Sequence, residues 1–132
     1  MKRLTREWVR KAEEDFVLAR QSSQSRVPLH SGVCFHCQQC AEKYLKALME
    51  ELGLPIPKIH FLDTLLKTLV TYHPPLRSLR RGMPFLSVFA VDPRYPGRNA
   101  SKRQAAAALR WAERVRAPAR ALLGIRERRR RK

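Results

Sequence analysis

Acidic side chains are scarce in this chain: 11 Asp and Glu stand against 28 Lys and Arg among 132 residues, a formal net charge of +17. The few carboxylates are scattered, which argues against paired-carboxylate chemistry. Long apolar runs are missing as well. No stretch approaches the roughly 18 apolar residues that a spanning helix needs, so no membrane partner is expected. The N-terminus, MKRLTREWVRKAEEDF, is charged throughout and lacks the apolar core of a secretion signal. Cysteine is limited to three residues bunched at Cys34, Cys37 and Cys40, an odd number that makes no disulfide framework. The expectation is a cytoplasmic protein with reduced thiols. No apolar/polar alternation marks a strand. No phosphate-cradling glycine loop, nucleophile elbow or HExxH is present.

What is present is helical periodicity. The longest amphipathic stretch is Cys34 to Met49, CFHCQQCAEKYLKALM. Val33, Cys37, Ala41, Tyr44, Leu45, Leu48 and Leu52 recur at three and four and make one stripe. Gln38, Glu42, Lys43 and Lys46 fall to the flanks and the far face. The helix is expected over 29–52, with Gly53 as its stop and Pro55 and Pro57 barring continuation. A first helix over 5–23, capped by Thr5, presents Trp8, Ala12, Phe16 and Ala19. A third, over 60–71, presents Phe61, Leu62, Leu65, Leu66 and Leu69. A fourth, over 75–91, presents Leu76, Leu79, Met83, Leu86 and Ala90, with a kink or split near Gly82. The last begins at Ser101 as N-cap and turns Ala108, Ala112, Val115, Ala119 and Leu122 inward until Gly124. The fold class is therefore all-α: an up-and-down bundle of about five helices. Residues 1–124 form the domain, and 125–132 form a basic tail expected to be disordered.

The charge is one-sided. Residues 53–132 hold 19 Lys/Arg and 4 Asp/Glu, whereas residues 1–52 hold 9 and 7. Such a field favours a polyanion, nucleic acid or an acidic protein. The loop 92–99, DPRYPGRN, leads into a helix N-terminus, where backbone N–H groups, Arg94, Arg98, Lys102 and Arg103 can meet a phosphate and Tyr95 can stack on a base. Arg110, Arg114 and Arg120 continue the positive charge along the last helix. His60, beside Lys58 and at the start of a helix, is placed to cap it, to bind an anion or to carry a proton. His36 lies opposite the core stripe and reads as solvated. The cysteines do not read as a metal site. On a straight helix the outer two lie about 9 Å apart along the axis, too far for one tetrahedral zinc with Zn–S bonds of about 2.3 Å. They read as small buried groups in a helix–helix contact. No metal or other cofactor is expected.

Four motifs in order resemble the HEPN domain family, whose name denotes nucleotide binding in higher eukaryotes and prokaryotes. They are Ala12-Glu13-Glu14-Asp15 on the first helix; Gln39-Cys40-Ala41-Glu42-Lys43-Tyr44-Leu45-Lys46-Ala47-Leu48 on the second; Pro57-Lys58-Ile59-His60 in the loop; and Arg94-Tyr95-Pro96. The resemblance implies a helical bundle, frequent homodimerisation, and pairing in prokaryotes with a minimal nucleotidyltransferase of the polymerase-β type, in which the HEPN protein is partner, substrate or toxin. It departs from HEPN ribonucleases, which carry Arg–x4–6–His. No histidine here follows an arginine at that spacing, and the nearest match is Lys67-x5-His73. Phe61 and Gly97 also stand where relatives usually carry acids.

The function expected from residues and resemblance together is a subunit that binds a nucleotide or RNA phosphate. Lys58, His60, Arg94, Tyr95 and Arg98 would line its site, with a nucleotidyltransferase as protein partner in a toxin–antitoxin-like pair. The reading leans away from an enzyme. The alternatives are a metal-free ribonuclease toxin using His60 or His73 as acid or base, and a basic interaction scaffold without nucleotide binding.

Overall fold

The computed structural model describes residues 1–91 and 96–127. Helix α1 spans Arg3–Ser23, α2 His30–Glu51, α3 Leu62–Tyr72, α4 Met83–Ser87 and α5 Lys102–Leu122; 3-10 helices at Pro74–Leu79 and Val88–Ala90 flank α4. Among the described residues there is no strand. Among them, no helix is long and apolar enough to cross a membrane. The chain is an all-α helical bundle.

Helix α2 is the axis, packed against α1, α3, α4 and α5. Its apolar stripe is buried from Val33 to Leu48, while Leu52 at its end is 36% exposed. Each Leu or Val fully withdrawn from water contributes about 1.5–3 kcal/mol. The three thiols are free and fully buried. Burial pushes the Cys34 thiol up to about 12 and raises Cys37 and Cys40 as well. They remain neutral at physiological pH and act as small apolar groups.

The ends of the long helices follow local chemistry. Gly53 adopts φ +72°, a conformation that costs a side chain steric strain. There the N–H of Leu54 reaches Met49 O and that of Gly53 reaches Glu50 O, both at 3.0 Å, closing α2 in a Schellman turn. Gly124 closes α5 in the same way, at φ +72°. Ser101 starts α5 with a capping box: its Oγ accepts from Gln104 N at 3.0 Å, and its own N–H donates to Gln104 Oε1 at 2.9 Å.

Several expectations are corrected. Thr5 does not cap α1, because Lys2 holds that position. Thr5 is buried one turn in, and its Oγ1 donates to Glu51 Oε1 at 3.0 Å. With the N–H of Lys2, it holds the Glu51 carboxyl below its ordinary range. The fourth helix splits as its glycine suggested, but into a 3-10 helix, a short α-helix and a second 3-10 helix. Its stripe of Leu76, Leu79, Met83, Leu86 and Ala90 is buried throughout. Phe61 and Leu122, expected to face inward, are 66% and 45% exposed. Each stands at the margin of its helix, where no neighbour covers it.

Candidate functional site

The main correction concerns α2's supposed outer face. Gln38, Glu42 and Lys46 stand at i, i+4 and i+8, so they stack along one side of the helix, and all three are buried. The Gly53–Phe61 segment crosses this side. Glu42 gathers the group: Oε2 accepts from Lys46 Nζ at 3.0 Å, and Oε1 accepts from Gln38 Nε2 at 3.1 Å and from His60 Nδ1 at 2.9 Å. Gln38 Nε2 also donates to the His60 carbonyl at 3.2 Å, so backbone and ring of His60 are both fixed. Lys46 Nζ lies 5.8 Å from the centroid of the Trp8 ring. Among the described residues no buried side-chain nitrogen or oxygen lacks a partner, which lets this polar seam persist inside the bundle.

His60 is the exit of the seam. Its side chain is 62% exposed while that of Glu42 is 6%. A carboxylate only accepts, so His60 donates through Nδ1–H and keeps Nε2 for solvent or a ligand. A buried anion orienting an exposed imidazole is an arrangement suited to anion binding or proton transfer. Lys58, two residues earlier, is exposed. His60 does not cap α3. Phe61 is the N-cap residue, and the N–H of Leu62 donates to Ser87 Oγ at 2.9 Å.

A second seam joins α1 to α2. Buried Asp15 accepts from Lys43 Nζ at 2.5 Å and binds His36 Nδ1 at 2.8 Å. His36 is thus not a solvated residue but half of an inter-helix tie. A third seam ties in α5. Arg116 grips Glu13 with two bonds of 2.7 Å, and Tyr44 OH donates to the same carboxylate. Arg120 Nη1 reaches Tyr44 OH at 3.2 Å, and its Nε reaches Glu127 at 2.6 Å. Arg120, expected to extend a phosphate-binding stripe, is therefore occupied inside the molecule.

The third seam sets a pH dependence. Burial raises the Glu13 carboxyl, but hydrogen bonds from Arg116 and Tyr44 and the charges of Arg116 and Arg120 outweigh it and hold the group below its ordinary value. A carboxyl lowered on folding stabilises the fold above its unfolded value of about 4.3, and that stabilisation is lost as pH falls through the folded value. The melting temperature of the wild type should therefore fall more between about pH 5 and pH 3 than that of Glu13→Gln. Parallel melting curves for the two proteins over that range would contradict the assignment.

The remaining expected site residues lie apart. Ala100 N donates to Ser31 Oγ at 3.0 Å, which places the segment after Arg98 at the start of α2, about 16 Å along the helix from Glu42. Arg98 is exposed there. His73 ends α3 and is half-buried. The length of α3 separates it from His60 by about 17 Å. Arg94 and Tyr95 lie outside the described residues. Among the described residues, no group of three or more His, Cys, Asp or Glu is arranged to hold a metal ion.

Gln38, Glu42 and Lys46 escaped the sequence reading as site residues. The signal that could have found them is their unbroken i+4 spacing on the one helix that every long neighbour contacts.

No curated protein and no solved structure matches the chain at a significant level. The HEPN domain family model matches residues 5–122, which takes in α1 from Thr5 on, the whole of α2 to α5 and the His60 seam. The chain therefore belongs to the HEPN domain family.

Proposed function

We propose that this protein is a HEPN subunit that binds the phosphates of a nucleotide or RNA, as a homodimer, and works beside a polymerase-β-type nucleotidyltransferase in a toxin–antitoxin-like pair. The observation that carries it is His60: an exposed imidazole, held by buried Glu42 and Gln38, next to exposed Lys58. Ring and ammonium can both donate to phosphate oxygens. Arg98, Arg94 and Tyr95 would extend the contact. The spacing of about 16 Å along α2 suits several nucleotides in succession better than a single one.

The test is binding of labelled single-stranded RNA and of ATP, followed by anisotropy in dilute and concentrated salt. Lys58→Ala with His60→Ala should weaken RNA binding about tenfold and lower its salt dependence. Unchanged affinity would remove His60 from the site. Co-expression with a nucleotidyltransferase, and light scattering of the purified complex, test pairing and dimerisation.

The Glu42–His60 pair also favours a second reading, in which the imidazole serves as acid or base in metal-free RNA cleavage. Structured RNA incubated in EDTA decides between them. Cleavage abolished by His60→Ala supports the ribonuclease, and intact RNA supports the binding subunit.

A further inference from the structure

The 3-10 helix at Pro74–Leu79 sorts its side chains by a period of three. Leu76 and Leu79 are buried, while Arg77 and Arg80 project on the outside. At about 2 Å of rise per residue, the two guanidinium groups are carried by positions roughly 6 Å apart along the axis. Arg81 follows directly. Arg77, Ser78, Arg80 and Arg81 line one concavity. Arg77 and Arg80 also line a second of about 240 Å³ with Lys67 of α3. The acid in that lining, Asp63, accepts from Ser87 Oγ at 3.3 Å. Among the described residues, no carboxylate forms an ion pair with Lys67, Arg77, Arg80, Arg81 or Arg114. Lys43, Lys46, Arg116 and Arg120, by contrast, are all engaged with carboxylates.

The row of arginines borders an apolar groove. Ser78 lines both the arginine concavity and a groove of about 520 Å³ between the 3-10 helix and α5. Pro75, Leu79, Pro118 and Leu122 form much of the groove's walls. Arg114 also lines it and lies over the Trp111 ring at 4.8 Å. A guanidinium held over an aromatic ring offers a cationic surface against which a base can pack.

We infer that the surface running from Lys67 and Arg77, Arg80 and Arg81 into the Trp111–Arg114 groove binds a single-stranded polynucleotide. The arginines contact successive phosphates, and an unpaired base enters the groove against Arg114. Unpaired arginines alone fit any polyanion; the adjoining apolar groove, with Arg114 held over Trp111 in its wall, selects one whose phosphates alternate with flat apolar groups. A duplex keeps its bases inside and cannot fill the groove. The inference goes beyond the His60 reading and uses none of its residues.

The test is anisotropy of labelled RNA and DNA strands of one sequence, and of the RNA as duplex, across a salt series. The wild type should bind either strand more tightly than the duplex, and any preference between RNA and DNA identifies the natural source. Arg77→Ala/Arg80→Ala/Arg81→Ala should lose tenfold or more in affinity and flatten the logarithmic salt slope by about 2. Arg114→Ala should weaken the strand with a slope change below about 1, since it removes mainly stacking. Circular dichroism checks that the variants fold. A 4-thiouridine strand photocross-linked to the wild type should mark peptides within 75–81 or 110–122, a result independent of any variant. Full retention of strand affinity and salt slope in the triple variant overturns the inference, even where Lys58→Ala/His60→Ala weakens RNA binding. A triple variant that loses only capture of poly-glutamate, keeping the strand, overturns it too and makes the face a protein dock. Loss in the triple variant with no effect at His60 leaves this surface standing and the His60 reading fallen.

Discussion

Glu42→Ala is expected to destabilise the protein by about 3–5 kcal/mol, the range found when one partner of a buried ion pair is removed. The side chains of Glu42 and Lys46 are each 6% exposed, so the ammonium left behind has neither its anion nor enough water to replace it. Gln38 and His60 lose their shared acceptor in the same step. Removing the charge from both sides gives a different outcome. Glu42→Leu with Lys46→Met replaces the pair by apolar groups of similar volume and should return to within about 1.5 kcal/mol of the wild type. Urea unfolding with an unchanged m value measures both differences. A single substitution that costs under about 1 kcal/mol would mean that water reaches Lys46 readily, and would contradict the burial argument.

The double variant also separates fold from function. It restores packing without restoring an acceptor for His60 Nδ1. If Glu42 serves the site by holding the imidazole, the refolded double variant should still bind RNA as weakly as His60→Ala. If RNA binding recovers with stability, Glu42 matters to the fold alone.

These seams explain what the sequence could and could not disclose. The stripe from Val33 to Leu48 was legible because burial of apolar groups at three and four is the cheapest way to fold a helix onto a core. The ends at Ser101, Gly53 and Gly124 were legible because their reasons are local: a hydroxyl three residues before an amide, and a backbone that glycine tolerates best. The same periodic reading left Gln38, Glu42 and Lys46 on the flanks and the far face, with no hint that a further segment covers them. Helix α2 has helices around it and a loop across its remaining side, so its polar residues had to find one another. Pairing of this kind depends on which segments meet: Asp15 with Lys43 and His36, Glu13 with Arg116. Partners separated by 21 to 103 positions leave no periodic trace. The arginines at 77, 80 and 81 were missed for a related reason. Spacings of three and four put them on one side of an α-helix too, where they read only as its polar side; that no carboxylate among the described residues pairs with them depends on which segments meet.

Gly82→Ala should be the costliest single-methyl change, at about 3 kcal/mol. Backbone conformation is not the cause, because Gly82 sits at φ −89°, where alanine is at ease. The cause is contact: a Cβ there would stand 2.1, 2.3 and 2.5 Å from Cδ2, Cε3 and Cε2 of Trp111. These are ring atoms near the fused bond, not the tip of a flexible chain, so the whole indole or the start of α4 must move. Met83 and Leu86 of α4 are fully buried, so moving that helix opens the core, and moving the indole removes the support beneath Arg114. The remedy identifies the mechanism. In a Trp111→Leu background the added methyl has room, and Gly82→Ala should there cost under about 1 kcal/mol, leaving a coupling of roughly 2 kcal/mol in the double-mutant cycle. Additive losses would place the penalty in the backbone instead, and a Gly82→Ala protein within about 0.5 kcal/mol of the wild type would show that α4 slides over α5 without resistance. The single variant keeps every arginine of the row, and where the indole gives way the support beneath Arg114 is displaced. Its affinity for a strand should fall as it does in Arg114→Ala, with the salt slope of the wild type nearly kept.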